Sequence, residues 1–382
     1  MNDDDTRWMG AALALAERGR ALTVPNPNVG CVIVNHGRVV GRGWTQPGGR
    51  PHAEAMALAE AGEKSRGATV HTTLEPCAHT SRRGPACDGL LVAAGVARVV
   101  IALIDPDPRT DGCGIARLRA GGIEVVTGIR SAEARRAMAG FLTRLGLGRP
   151  HVTLKLAMAL DGAVAMADGT SRWITGPEAR AHAHLERARH GAILVGRGTV
   201  EADDPALDVR LAGLEGRSPA RWVLSNTLPH SYHPRESGGP SPGVSAGDDG
   251  REMGQHRVEH APHVQGSSGG RSDPVLFRRD DKKEEGGDQW GVLTAPAGIV
   301  GLKGVDHLLV EGGAQTAAAF LADDLVDRLL LYRAPILIGG GRTLPDIALA
   351  DLAEAHDRWT FLDARQLGSD RLEVYERVRE FN

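Results

Sequence analysis

His52, Ala53 and Glu54 form one short run, and Glu75-Pro76-Cys77 and then Cys87 follow it. Together they offer an imidazole, two thiols and a carboxylate. A structural zinc site usually closes with four protein ligands, whereas a catalytic one keeps a position open for water. Three ligands, His52, Cys77 and Cys87, plus an acid that is not a ligand, Glu54, therefore point to hydrolytic chemistry. Zinc lowers the pKa of its water to about 7. At the start of a helix, the two-residue offset lets His52 grip the metal while Glu54 leans over the open position. The acid can then carry a proton from water to a ring nitrogen and the leaving ammonia. Nucleobase deaminases use His-x-Glu followed by Pro-Cys-x-x-Cys. Here nine residues separate Cys77 from Cys87, so the spacer must loop out and return.

A lone His-Ala-Glu carries little weight, and cysteines are often small buried hydrophobes. The Pro76-Cys77 context adds weight. Pro76 suits the first turn of a helix, where a thiol is more easily deprotonated. The apolar run over 90–96 reads as the continuation of that helix. Cys31 is expected in a strand core and Cys113 in a Gly-rich turn, neither as a ligand. His79 reads as lining the substrate pocket. Glu54 has no obvious structural role, which argues against a non-catalytic metal module.

The elements that must position these groups form an α/β pattern in two parts. In the first, helices are expected over 7–18, 52–61 and up to 120, with strands over 29–34, 39–43, 69–73, 99–103 and 123–127. A connecting helix over 131–144 leads to a linker over 146–150. The second part has strands over 152–157, 192–196, 221–225, 307–311, 328–334 and 372–378, with helices over 176–189 and 314–321. Alternating strands and helices imply layered sheets. The expected domains are 1–148 and 149–382. Between them in character lies the stretch over about 230–289, dominated by Gly, Ser, Pro and charge. It reads as a long disordered insert between two strands, with 275–277 a surviving strand fragment.

Composition narrows the function. The 382 residues carry a net charge of −3 and 4% aromatics, so no basic, aromatic-rich stripe draws nucleic acid. No apolar stretch is long enough to span a bilayer. Four cysteines and no signal peptide imply a reducing cytoplasm rather than a disulfide framework.

The second part carries its own candidate site. Leu160-Asp161-Gly162 ends a strand, Trp173-Ile174-Thr175 precedes a helix, and Ala202-Asp203-Asp204-Pro205-Ala206-Leu207 follows another strand. Glu311-Gly312-Gly313 joins an apolar strand to a helix. Glycines there let the backbone approach a ligand, and the helix N-terminus offers amides to a phosphate. There is no Gly-x-Gly-x-x-Gly fingerprint, and a Gly-Gly turn is more often a tight connection. Arg187 and Arg210 are, on their own, ordinary solvated charges.

With Pro25-Asn26-Pro27-Asn28-Val29-Gly30, Thr73-Leu74-Glu75-Pro76-Cys77 and Asp105-Pro106-Asp107-Pro108 added, the chain closely resembles the bifunctional riboflavin-biosynthesis deaminase/reductases of bacteria. The resemblance implies a cytidine-deaminase-like N-terminal domain and a dihydrofolate-reductase-like C-terminal domain. The first would hydrolyse the amino group of 2,5-diamino-6-ribosylamino-4(3H)-pyrimidinone 5′-phosphate. The second would reduce the ribosyl group to ribityl with NADPH. It implies one Zn2+ per chain on His52, Cys77 and Cys87, with Glu54 as proton shuttle. Cofactor contacts would fall on Ala157, Trp173, Thr199, Asp203, Ser225 and the turn comprising Gly313, Ala314, Gln315, Thr316, Ala317, Ala318 and Ala319. Substrate contacts would fall on Ser171, Arg187, Leu207, Arg210 and Glu311, the arginines suiting the phosphate through bidentate bonds. The partners expected are this phosphoribosyl-pyrimidine and other copies of the chain in a homo-oligomer. Three features depart from the family pattern: a Cys77–Cys87 spacer one residue longer, Asp107 in place of Asn, and Ala159 in place of Ser.

Overall fold

The computed structural model describes residues 3–80, 83–228, 231–232 and 289–379. The expected insert over about 230–289 lies almost wholly outside the described residues, as does the fragment at 275–277.

The first half contains α1 (Asp3–Ala16), β1 (Gly30–Asn35), β2 (Arg38–Trp44), α2 (Ala53–Ala61) and β3 (Thr69–Thr72). It continues with α3 (Cys87–Ala94), β4 (Arg98–Ile101), α4 (Cys113–Ala120) and β5 (Glu124–Thr127), then α5 (Ser131–Ala137) and α6 (Ala139–Leu147). Among the described residues its sheet has the order β2-β1-β3-β4-β5. β1 runs antiparallel to both β2 and β3, and β3, β4 and β5 are parallel. Three acids open α1, where the helix dipole favours them. One of them, Asp5, is buried and binds Arg98 at 2.7 Å and His71 at 3.1 Å, fastening α1 to the sheet.

Small residues set the height of α2. A Cβ at Gly41 would lie 2.1 Å from the Ala57 carbonyl oxygen, and one at Gly43 the same distance from that of Ala53. Backbone thus packs on backbone. His52, the extended residue before the helix, and Glu54, in its first turn, inherit that placement. Met9, Ile33, Leu91, Ile101, Leu118 and Met138 fill the core beneath, each worth about 1.5–3 kcal/mol of buried apolar surface.

The second half contains β6 (His151–Met158), α7 (Pro177–Ala188), β7 (Ala192–Gly196), α8 (Arg197–Asp203), β8 (Ala220–Leu224), β9 (Ser231–Tyr232) and β10 (Trp290–Leu293). There follow β11 (His307–Val310), α9 (Ala314–Ala322), β12 (Arg328–Arg333), β13 (Trp359–Leu367) and β14 (Asp370–Arg377). The sheet order is β13-β14-β12-β6-β11-β7-β8-β10-β9. Strands from β12 through β10 are mutually parallel, while β14, β13 and β9 are antiparallel additions at the two sides. A separate core of Val152, Leu154, Leu194, Leu308, Val310 and Phe320 lies under this sheet.

Three expectations are corrected. The helix over 131–144 breaks at Met138, whose φ of −105° and ψ of 17° lie outside the helical region. The next turn brings Gly140 so near the second half that a Cβ there would sit 2.6 Å from the Asp306 carbonyl oxygen. The linker over 146–150 is tightly held: Arg149 is buried and pairs with Asp327 at 2.6 Å. Pro76 and Cys77 do not open a helix, since α3 begins ten residues later, at Cys87 itself. Among the described residues no helix is long and apolar enough to cross a membrane.

Candidate active sites

His52 Nδ1 lies 3.5 Å from Cys77 Sγ and 3.4 Å from Cys87 Sγ. Among the described residues these three form the one cluster suited to a metal, their donor atoms all within 4.8 Å of one another. Tetrahedral zinc, with bonds of about 2.0 Å to nitrogen and 2.3 Å to sulfur, needs nitrogen–sulfur separations of roughly 3.5 Å. The donor set and its spacing therefore fit zinc without rearrangement. Cys31 is buried in β1, as expected, whereas Cys113, expected in a Gly-rich turn, is exposed at the first residue of α4; neither joins the cluster.

Different devices deliver the two thiols. The Glu75 amide donates to the Leu103 carbonyl at 2.8 Å, extending the pairing beyond β3 and carrying Cys77 in on irregular backbone. Cys87 stands at the first residue of α3, and its amide donates to Cys77 Sγ at 3.4 Å. A hydrogen bond from Cys87, together with those from His52 and the Cys87 amide, holds the Cys77 thiol down to about 3. The Cys87 thiol is raised correspondingly as the donor of that bond.

Glu54 is buried beside the cluster, and Thr72 Oγ1 donates to its Oε1 at 3.2 Å. Burial raises its pKa above the ordinary carboxylate value, only partly opposed by His52. A carboxyl so placed can both take up and release a proton.

The loop after β4 closes one side of this site. Buried Glu75 holds it, accepting from the amides of Asp105 at 3.3 Å and of Gly112 and Ile115 at 3.0 Å each. Sequence reading quoted Glu75 only as part of a motif; an acid between a buried strand and a cysteine ligand was the available signal. Burial lifts the Asp105 carboxyl to about 6. Asp107 is bound by Arg109, which holds it down to about 2. His79 is half-buried, with Nδ1 3.5 Å from Thr110 Oγ1, beside that loop. The long spacer is stitched to the neighbouring segment by Arg83 to the Gly48 carbonyl at 2.6 Å and Arg50 to that of Pro85 at 3.2 Å.

In the second half the expected residues gather at the C-terminal ends of the parallel strands, where open α/β sheets bind ligands. Ala157 lies near the end of β6, Gly196 ends β7, Ser225 follows β8 and Glu311 follows β11. Thr199 on α8 faces Gly313, which caps the start of α9; a Cβ there would be 3.9 Å from Thr199 Oγ1. Asp203 binds Arg172 at 3.1 Å, and Trp173 next to it is largely exposed with the Arg180 guanidinium 4.7 Å from its ring centre. Ser225 Oγ accepts from the amides of Thr227 and Leu228 at 3.2 Å each.

The run from Gly313 to Ala319 is a helix start rather than a turn. The Ala317 amide already donates to the Gly313 carbonyl at 3.1 Å, so the free amides are those just before it.

The substrate set separates in two. Leu207, at φ 52°, is buried, while Arg210 is exposed, its Nη2 3.4 Å from His184 Nε2. Ser171 lies in the exposed segment before Trp173. Arg187 and Glu311 bind one another, Nε to Oε1 at 2.7 Å and Nη2 to Oε2 at 3.0 Å. Sequence reading missed Lys155, whose Nζ stands 4.0 Å from Glu311 Oε2. Its signal was a lone cation between Leu154 and Leu156 in a strand with neighbours on both sides. Burial lowers the Lys155 pKa, with Glu311 opposing.

A His-Cys-Cys cluster beside a buried acid in one half, and polar groups gathered at the strand ends of the second sheet, define a two-site deaminase and reductase. The model for the cytidine and deoxycytidylate deaminase zinc-binding region matches residues 2–103, and that for the RibD C-terminal domain matches 150–238 and 299–372. The riboflavin biosynthesis protein RibD of Escherichia coli K12 is 40% identical over 374 residues, covering 96% of this chain and 97% of the relative. That of Aquifex aeolicus is 36% identical, with 92% of each covered. Acinetobacter baumannii RibD superimposes with a TM-score of 0.75 at 34% identity over 99% of each chain. A diaminohydroxyphosphoribosylaminopyrimidine deaminase/5-amino-6-(5-phosphoribosylamino)uracil reductase from Thermotoga maritima gives 0.75 at 29% identity, covering 98% of this chain. The chain belongs to the RibD family, the bifunctional deaminase/reductases of riboflavin biosynthesis.

Proposed function

We propose that the first site removes the amino group of 2,5-diamino-6-ribosylamino-4(3H)-pyrimidinone 5′-phosphate and the second reduces its ribosyl group to ribityl. The observation that carries the first step is the convergence of His52, Cys77 and Cys87 beside buried Glu54. Zinc, when bound by these three residues, supplies a Lewis acid that eases the deprotonation of water. Glu54 accepts the proton, holds it on a carboxyl whose burial favours the neutral form, and passes it to the ring nitrogen and the departing amine. Asp105, also raised by burial, and His79 face the pyrimidine from the loop side.

For the second step, NADPH would supply a hydride to C1′ of the ribosyl group as the C1′–O4′ bond opens, and the freed O4′ takes the proton. Thr199, Asp203, Ser225 and the amides from Gly313 to Thr316 hold the cofactor, with Ala157 and Trp173 along its length. Glu311 and Ser171 meet the sugar hydroxyls, and Leu207 and Arg210 close the phosphate end. Lys155, an ammonium made more acidic by burial, gives that proton to O4′ beside the reduced carbon. Arg187 serves mainly by holding Glu311 ionised and oriented.

The domain division follows as 1–148 and 149–382, placing α6 with the deaminase and β6 with the reductase. The assembly is a homo-oligomer, with the exposed face of β13, where Phe361 and Leu362 lie open, as its contact; the compartment is the cytoplasm. A coupled assay with the diaminopyrimidinone phosphate, with and without NADPH, tests both steps. Ammonia release in both arms and NADPH consumption in one are expected; no ammonia release by zinc-loaded protein would overturn the first assignment.

A further inference from the structure

Between α1 and β1 the chain passes through a loop that carries Asn26. Asn26 Nδ2 lies 3.0 Å from His52 Nε2 and donates to the Gly49 carbonyl at 3.0 Å. The Asn26 carboxamide thus meets the one ring nitrogen of His52 that does not face the thiols. With Nδ1 on a metal that nitrogen carries the ring proton, and the carboxamide turned to present Oδ1 accepts it. Inside the loop, the Asn26 amide donates to the Thr23 carbonyl and Thr23 Oγ1 donates to that of Asn26, both at 2.9 Å. Pro25 and Pro27 contribute no amide donors, so the loop has few backbone bonds of its own.

One of its own side chains and two from outside hold it in place. Asn28 Nδ2 donates to the Ala137 carbonyl at 3.1 Å. Arg217, from the reductase half, donates to the Arg20 carbonyl at 2.7 Å. Arg144 donates from Nη2 to the Pro25 carbonyl, next to Asn26, and from Nε to Asp306 Oδ1, both at 2.6 Å. Asp306 is buried and directly precedes β11 of the reductase sheet. One guanidinium therefore spans the junction, with one nitrogen on the deaminase loop and another on a reductase carboxylate.

We propose that Arg144 is a positioning residue for the deaminase, tying the Asn26 loop, and through it His52, to the reductase half by way of Asp306. The inference rests on the deaminase reading of the first site. Groups that bind the second nitrogen of a metal-ligating histidine orient the ring, and losing one typically costs about 10–100-fold in affinity or activity. Charge-assisted bonds of this kind are the stronger ones. A lysine, with a single point charge, cannot make both contacts in the guanidinium's geometry.

The test uses the full-length, zinc-loaded enzyme with Arg144→Ala, Arg144→Lys, Asp306→Ala, Asn26→Ala and the Arg144→Ala/Asn26→Ala pair. Deaminase kcat and KM, zinc per chain, and NADPH oxidation with the deaminated intermediate are measured on each sample. The Arg144 and Asp306 variants should lower deaminase kcat/KM about tenfold. Zinc content should hold, and reductase constants should stay within about twofold. The double variant should lose no more than Asn26→Ala alone, because Arg144 acts through that loop. Losses that multiply would overturn the proposal. So would parallel loss of reductase activity, which would mark Arg144 as a prop of the whole fold. Normal deaminase kinetics in both Arg144→Ala and Asp306→Ala would overturn it alone, whereas a wild-type enzyme without deaminase activity would sink the underlying reading as well.

Discussion

Arg187 and Glu311, 124 residues apart in sequence, close a two-pronged ion pair at the C-terminal end of β11. Burial alone would push the Glu311 carboxyl up, but Arg187 and then Lys155 more than offset it, leaving it below the ordinary value. It is therefore ionised throughout the neutral range. Arg187 is thereby engaged with Glu311 and with the Asp208 carbonyl.

Glu311→Gln should abolish most NADPH oxidation and leave deamination intact. It should also destabilise the reductase half, because breaking one partner of a buried pair strands the other charge at a cost of about 3–5 kcal/mol. Adding Arg187→Met should recover stability in urea melts without recovering turnover. Recovery of activity in the double variant would show that the pair is only structural.

At the first site, Glu54→Gln should keep about one zinc per chain and lower deaminase kcat by roughly 10²–10⁴-fold, the usual worth of a positioned acid–base. Cys87→Ala should lose the metal and the deaminase together. Both variants should oxidise NADPH normally with the deaminated intermediate. Metal analysis beside the two assays separates these outcomes, and full deaminase turnover in zinc-loaded Glu54→Gln would remove the acid from its role.

The zinc cluster was legible in the sequence because its residue types are uncommon and its chemistry restricts them. What Cys77 rests on was not. Pro76 suggests a helix start, but the Glu75 amide is committed to the Leu103 carbonyl and its carboxylate to two amides of a later loop and one of α4. Those partners come from distant sequence and override the local preference. β13 escaped notice for another reason: most of its residues are exposed, so it shows no inward–outward alternation. β10 begins at Trp290 directly after a polar run and is recognisable mainly by its parallel pairing with β8. Lys155, Arg187 and Glu311 likewise come together only in the fold, where β6 and β11 are neighbours and α7 lays Arg187 against Glu311.

Acid should unfold the reductase half through Asp327. Its carboxylate accepts from Arg149 at 2.6 and 2.8 Å, the Val152 amide at 2.9 Å and Arg379 at 2.8 Å. Burial opposes its ionisation, but these donors prevail and its pKa lies below the ordinary 3.8. A depressed carboxyl contributes stability that is complete above its unfolded value, about 3.9, and is lost as pH falls through the folded value. Asp327→Asn should therefore cost about 3–5 kcal/mol at pH 7. It should also flatten the fall in stability below about pH 4. Urea melts across that range check both, and an unchanged acid limb would remove Asp327 as its source.

Residues 233–288 should be dispensable for both reactions, and the reason lies in their flanks. β9 and β10 pair antiparallel, with Tyr232 opposite Trp290 and Ser231 opposite Gly291. Antiparallel strands already facing each other in register are joined by loops of about two to five residues. A four-residue Gly-Asn-Gly-Ser connection in place of 233–288 should thus leave β10 paired with β8 and keep Ser225, whose amide donates to the Leu293 carbonyl at 2.8 Å, in place at the proposed cofactor edge. NADPH KM is the sensitive measure, because that edge is what a displaced β10 would disturb. A value within about twofold of the full-length enzyme is expected. A large rise in NADPH KM with normal deaminase activity would instead make the segment part of the cofactor site.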